Sequence, residues 1–266
     1  MTSGSSQAVG TVVALWRYPV KSMRGEQVAG AAVDARGLVG DRRWAVWDPE
    51  GRFGSCKDTR RFRRMDGLLD FVAGYPDAPD IADAPTSPNA PASPEDTAVG
   101  APQLLAPDGA RHPVPSPAAD DAVRAHIGRD DVRLMPEAET PHHDAAPLHL
   151  LSTATLDWYR QQLQDVPTDE RRLRPNLVVR LPGAQAFAED AWHGRRLRIG
   201  DGPHAVLAQF LRQTVRCRTL NVAQDDLPYT SRGLKSLADR DLKLGVYLEV
   251  VEPGRITVGD QMWLMD

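Results

Sequence analysis

The sequence predicts a mostly β chain of the α+β class, barrel-like and carrying a few short helices. Three observations predict it. Short runs of alternating or β-branched apolar residues recur along the chain and are bounded by Gly, Pro and Asp turns. Helical periodicity is confined to three short stretches. No strand–helix–strand alternation, internal repeat, dinucleotide glycine signature or P-loop is present.

Residues 1–10 are small and polar and read as a frayed tail. TVVALWRYPV, from Thr11, is a strand stopped by Pro19, and RRWAVWD is a second, closed by the turn PEGR. RFRRMDGLLDFV fits either a short helix or a strand edge. Residues 74–103 are dense in Pro, Ala, Asp and Ser without periodicity and read as a mobile surface loop. LLAPDGARHPV is a hairpin over a PDG turn. Helices are expected near 120–128, over STATLDWYRQQLQ and over 231–240. In the second of these Leu156, Tyr159 and Leu163 share a face, and Ser152 or Thr153 caps the start. RPNLVVRLPG, RRLRIGDG, HAVLAQFLR, VYLEVVEPG and RITVGDQMWLM are strands, the last two expected as a hairpin across EPGR.

Composition narrows the function. The 266 residues can bury a sizeable core. A net charge of -4 argues against a nucleic-acid binder or a polybasic membrane anchor. Of 32 basic residues 28 are arginine, which reflects either genomic composition or guanidinium recognition of a planar anion. Two cysteines, Cys56 and Cys217, make neither a disulfide framework nor an all-cysteine iron–sulfur site. The sequence shows no signal peptide, lipidation motif or long apolar run, so a cytoplasmic protein is expected.

HExxH, CxxC, GxSxG and EF-hand patterns are absent. His142, His143 and Asp144 are consecutive, and neighbours on an extended segment point in opposite directions, so a structural role is favoured over chelation. YPVKSMRG places Lys21 and Ser22 directly after a proline-stopped strand, where a cation, a hydroxyl and free N–H groups suit an anion, as a solvated loop also would. Arg42 and Arg43 sit at a strand entry, and Arg171, Arg172 and Arg174 precede Asn176; each set is either an anion grip or a charged strand edge. Cys217 lies between Arg216 and Arg218, a setting that favours the thiolate and soft-metal ligation, against the alternative of a buried inert thiol.

In order, YPVKSMRG, RGLVGDRRWAVWD, HDAAPLHLLSTATLDWY, RRLRPNLVV, VRCRTLNV and LGVYLEVVEPGRITVGDQMWLM resemble the MOSC family, in the branch with an N-terminal β-barrel region that includes the amidoxime-reducing components. The resemblance implies a MOSC N-terminal β-barrel domain over 9–135 and a MOSC domain over 136–266. It implies a pterin-based molybdenum cofactor (molybdopterin) with Cys217 as catalytic ligand to molybdenum. Lys21 and Ser22, with an arginine of the Arg42–Arg43 pair, would hold the phosphate end. Ser152, Thr153, Arg172, Arg174 and Asn176 would line the pterin side. The implied reaction is two-electron reduction of small N-hydroxylated substrates, with no nucleic acid or membrane partner. With no ferredoxin-type cysteines in the sequence, electrons are expected from a separate electron-transfer protein. A non-catalytic carrier of cofactor or sulfur is the rival reading, and a metal-free arginine-rich anion binder is a third.

Overall fold

Strand β1 (Ser6–Arg17) begins the barrel and shows why it closes. Its inward residues alternate, with Val12 and Leu15 buried, and two irregularities, between Ala8 and Gly10 and between Val12 and Ala14, bend it. A bent strand can pair on both edges around a curved sheet. In the computed structural model, which describes residues 6–76 and 100–265, β1 pairs at one edge with the last strand of the chain and at the other with a strand near residue 178. Residues 6–10 therefore belong to a strand, not to a frayed tail; residues 1–5 lie outside the described residues.

The N-terminal half continues through β2 (Glu26–Val28), β3 (Gly30–Asp34), β4 (Gly37–Leu38), β5 (Trp44–Trp47), β6 (Phe53–Ser55), β7 (Phe62–Arg64), β8 (Val72–Gly74), β9 (Gln103–Leu105), β10 (Arg111–Pro113) and β11 (Arg133–Pro136). These make small sheets, β11-β5-β6-β7 and β10-β9-β8, around a core that includes Val46, Leu68, Phe71 and Leu104. RFRRMDGLLDFV resolves into β7 and a single 3-10 turn at Leu68–Asp70. Of the expected loop at 74–103, the ends belong to β8 and β9, and 77–99 lie outside the described residues. Helix α1 (Pro117–Ile127) starts where the Ser116 side chain accepts from the Ala119 N–H with Pro117 at its first position, and ends at left-handed Gly128.

The C-terminal half supplies β12 (Leu148–Ser152), β13 (Leu177–Arg180), β14 (Arg196–Ile199), β15 (Val206–Val215), β16 (Lys243–Glu252), β17 (Gly254–Thr257) and β18 (Gln261–Met265). With β1 they close a seven-strand barrel in the order β1-β13-β12-β16-β15-β14-β18, the β12–β13 pair parallel and the others antiparallel. Leu15, Leu150, Val179, Ile199, Val206, Val246 and Met262 fill it. Helix α2 (Thr153–Leu163) is capped by Ser152 and buries Leu156, Tyr159 and Leu163, as its periodicity predicts.

Two expected elements are corrected. The hairpin across EPGR does not form: a Cβ on Gly254 would stand 2.2 Å from the His204 carbonyl oxygen, and this close approach carries the chain away so that β17 pairs with β3 instead. The expected helix over 231–240 breaks into α4 (Arg232–Lys235) and a 3-10 turn at Ala238–Arg240. Gly233 packs against the Leu220 carbonyl, and Asn221 Oδ1 takes the Leu234 N–H, so the first turn serves the segment after Cys217 rather than a longer helix. A short α3 (Glu170–Leu173), capped by Asp169, precedes Arg174. Among the described residues no helix is long and apolar enough to cross a membrane.

Candidate functional site

The site forms where the two halves meet, on chain segments that leave regular structure. After β1, the Lys21 N–H donates to the Trp44 carbonyl, and Ser22 adopts φ 65 with its Oγ donating to the Gly54 carbonyl at 2.9 Å. Arg42, also left-handed at φ 50, donates its N–H to the Tyr18 carbonyl. Arg174 ends α3 at φ 55. Side chains with a Cβ rarely hold positive φ, and such backbone persists where the surroundings enforce it, often at functional sites. All three line one cavity, with Lys21, Asn176 and Cys217.

The cationic end is tightly wired. Lys21, 4% exposed, places Nζ 2.5 Å from Asp144, and Lys57 stands 3.7 Å from the same carboxylate. Burial disfavours ionised Asp144, yet Lys21, Lys57 and Arg42 outweigh it and hold the carboxyl well below its usual range. Burial lowers the Lys21 ammonium pKa against the pull of Asp144. Arg42 pairs with Asp41 and reaches Asn176 Oδ1 at 3.4 Å. The guanidiniums of Arg174 and Arg42 lie 4.2 and 4.9 Å from the Tyr18 ring centroid. Arg174 Nη1 is buried with no protein acceptor.

At the other end Cys217 follows β15 and opens a 3-10 turn at Arg218–Asn221, its Sγ 3.2 Å from Thr219 Oγ1. Cys56, 8% exposed, lines the same cavity and reaches the same hydroxyl; burial pushes its thiol pKa up. The charges flanking Cys217 in sequence are partly engaged elsewhere. Arg216 lines the cavity but donates to the Leu173 carbonyl at 2.5 Å, and Arg218 pairs with Asp66 at 3.2 Å. His143 and His149 line the same cavity. Burial lowers the His143 pKa to about 4 and that of His149 well below 6.5, so both imidazoles are neutral at pH 7. His143 Nδ1 and His149 Nε2 lack partners.

Four residues singled out in the sequence are not brought to this cavity. Ser152 is spent on capping α2, its Oγ accepting from the Thr155 N–H, and Thr153 is the first residue of that helix. Arg172 is fully buried and donates to the carbonyls of Leu220, Val222, Pro167 and Pro228, pinning the segment after Cys217. Arg43 lines a separate cavity with Arg36 and Glu137. Conversely Cys56, Lys57, Asp144 and His149 line the site without having been proposed for it. His142, on a run of bends, turns the other way and accepts from Trp47 Nε1 at 3.2 Å. Among the described residues no group of three or more His, Cys, Asp or Glu side chains is placed to hold a bare metal ion.

A MOSC domain model matches residues 137–263, and a MOSC N-terminal beta barrel domain model matches residues 9–68. The chain belongs to the MOSC family. It is 27% identical to mitochondrial amidoxime-reducing component 1 of Mus musculus, over 97% of this chain and 83% of the relative. It is 26% identical to the Homo sapiens protein of the same name, over 97% and 84%. YUAD protein from Bacillus subtilis superposes over 99% of the chain and 98% of its own, with a TM-score of 0.48 and 10% identity.

Proposed function

We propose that this MOSC protein holds a pterin-based molybdenum cofactor on Cys217 and reduces small N-hydroxylated substrates with electrons from a separate protein. One observation carries the reading. Lys21, Ser22, Arg42, Arg174, Asn176 and Cys217 come from four distant stretches and line a single cavity. Its chemistry fits such a cofactor: a soft thiol at one end, and at the other an ammonium, guanidiniums and a hydroxyl that match a phosphate. Arg174 Nη1, buried and unmatched, supplies a donor that lacks its acceptor. The relatives named for amidoxime reduction support the substrate class.

The enclosed space is about 80 Å³, below the few hundred typical of ligand pockets. Part of it is taken up by the Lys21–Asp144 and Arg42–Asp41 pairs. Both cations stand on flexible stems, so turning from a carboxylate to a phosphate exchanges one charge-assisted bond for another while opening the site. Asn176 is fixed by donating to the Trp16 carbonyl at 3.2 Å and accepting from the His149 N–H at 3.2 Å. The neutral imidazoles of His143 and His149 line the site without adding positive charge to it. When bound, the cofactor supplies the two-electron redox centre, and the protein binds, orients and shields it.

A second reading, storage or transfer of cofactor or sulfur without turnover, draws support from Cys56, a second thiol in the same cavity. Reduction of benzamidoxime by a reduced viologen, using protein made in cells that synthesise the cofactor, separates the two. Steady turnover is expected. A molybdenum-loaded protein with no turnover would replace the reductase by the carrier.

A further inference from the structure

The cavity that holds Cys217 also holds the only other cysteine of the chain. Cys56 is the first residue past β6 and Cys217 follows β15, so the two come from opposite halves of the sequence and meet only through the fold. They meet on one atom. Cys217 Sγ lies 3.2 Å from Thr219 Oγ1, and the Cys56 thiol hydrogen-bonds the same hydroxyl. The sulfurs therefore stand within two hydrogen-bond lengths of one another. Their accessibility differs. Cys217 is half-buried and close to the exposed Val215, whereas Cys56 is buried. An oxidant entering the cavity reaches Cys217 first.

A disulfide needs sulfurs about 2 Å apart and Cβ atoms about 3.8 Å apart, so closure requires a small approach. Neither residue is held in a strand ladder that would forbid it. Cys56 sits on a bend and Cys217 heads a 3-10 turn. One step of χ1 between staggered wells releases the Cys217 sulfur from Thr219. The Arg172 clamp begins at the Leu220 carbonyl and does not hold Cys217 itself. We propose that Cys217 and Cys56 form an oxidation site at which a hydroperoxide closes an intramolecular disulfide. The Cys217 thiolate attacks one peroxide oxygen, and the O–O bond breaks. Cys217 becomes a sulfenic acid, and the other oxygen takes up a proton and leaves as water or an alcohol. The Cys56 sulfur then attacks the Cys217 sulfur, the S–O bond breaks, and the hydroxide leaves as water with the Cys56 proton. Two thiols are oxidised to one disulfide, and one hydroperoxide is reduced by two electrons. This thiol chemistry stands without a metal. Its consequence rests on the reading above: a sulfur bonded to Cys56 cannot ligate molybdenum, so the disulfide closes the site to the cofactor.

Titration of the full metal-free chain with hydrogen peroxide, read by thiol count, intact mass and non-reducing peptide mapping, tests it. Expected is the loss of both thiols together and a mass lower by two hydrogens. The cross-linked peptide should join Cys56 to Cys217 within one chain, and dithiothreitol should restore both thiols. Cys56→Ser removes the partner, so Cys217 is expected to stop at a sulfenic acid that dimedone captures, and to reach the sulfinic acid in excess peroxide. Cys217→Ser is expected to slow the oxidation of the remaining, buried Cys56 roughly tenfold. Wild-type Cys217 passing to the sulfinic acid while Cys56 stays free would overturn the proposal. So would cross-links that form only between chains, or two thiols that survive excess peroxide. Should a serine variant fail to fold, the wild-type peptide map decides, since it needs no substitution. A Cys56–Cys217 cross-link in protein that never loads molybdenum keeps this inference and removes the metal reading alone.

Discussion

The two ends of the main cavity are built on different principles. At the cationic end the backbone does the positioning. Ser22, Arg42 and Arg174 are held at positive φ by bonds to Gly54, Tyr18 and Glu170, and Lys21 is steered by Asp144. At the thiol end Cys217 has extended backbone, one contact to Thr219, and beside it Val215 at 61% exposure. The cationic end thus fixes its backbone while its Lys21 and Arg42 side chains are held on Asp144 and Asp41, whereas the thiol end rests on a single side-chain contact beside an exposed neighbour. Variants at the two ends should therefore fail differently.

The largest expected effect is at the thiol end. Cys217→Ser abolishes benzamidoxime reduction, because a serine hydroxyl is a hard, weakly acidic ligand where a soft thiolate is needed, while Cys56→Ser stays within a few-fold of wild type. Equal losses in both would make the thiols a functional pair. At the cationic end, Lys21→Ala with Arg174→Ala should lower cofactor retention with the fold intact. Each lost charge-assisted bond costs about 1.5–3 kcal/mol. Full molybdenum occupancy of the double variant after dilution would make these residues structural.

Arg172 offers an intermediate test, since it supports the thiol end without lining it. Arg172→Met leaves four carbonyls without their donor, so a stability loss of roughly 2–4 kcal/mol is expected in urea unfolding. A change under 1 kcal/mol would show that the segment after Cys217 holds itself. Acid should act next. Burial lowers the His142 and His143 pKa values to about 4, so between 6.5 and 4 the unfolded chain binds more protons than the folded one. Stability is then complete above pH 6.5 and is lost as pH falls toward 4, on the order of 3 kcal/mol for fully buried His142. Urea midpoints at pH 7.5 and 5 measure it, and His142→Gln should reduce the difference, leaving the part that belongs to His143 and His149. The smallest effect is expected for replacing 77–99 by a short Gly/Ser linker. Because β8 and β9 pair Gly74 with Gln103 at its borders, a loss below about 1 kcal/mol is predicted by thermal unfolding.

Much of the fold was legible because its signals are local. Ser116 and Ser152 caps, the apolar face of α2 and the alternation in β15 and β18 can be read within a dozen residues. The failed hairpin at EPGR depends on a contact between Gly254 and His204, fifty residues apart, which no local pattern encodes. In the site, three of the six expected residues brought together, Ser22, Arg42 and Arg174, also stand on left-handed backbone, whereas Lys21, Asn176 and Cys217 do not. Asp144 was discounted with its histidine neighbours on the expectation of an extended segment; residues 142–145 instead form bends, which turn His142 to Trp47 and bring Asp144 to Lys21. Cys56 carries charges like those around Cys217, so only the tertiary approach of β6 to the turn after β15 reveals it. Arg172 and Arg174 differ by two residues in one arginine-rich run, and only packing separates the buried clamp from the cavity cation.

Molybdenum per chain, measured on wild type, Cys217→Ser and Cys56→Ser made side by side in cells that synthesise the cofactor, tests the central claim most directly. The account predicts close to one molybdenum in wild type and in Cys56→Ser, and a large loss in Cys217→Ser at unchanged thermal stability. A Cys217→Ser protein that is folded, fully loaded and active would contradict it.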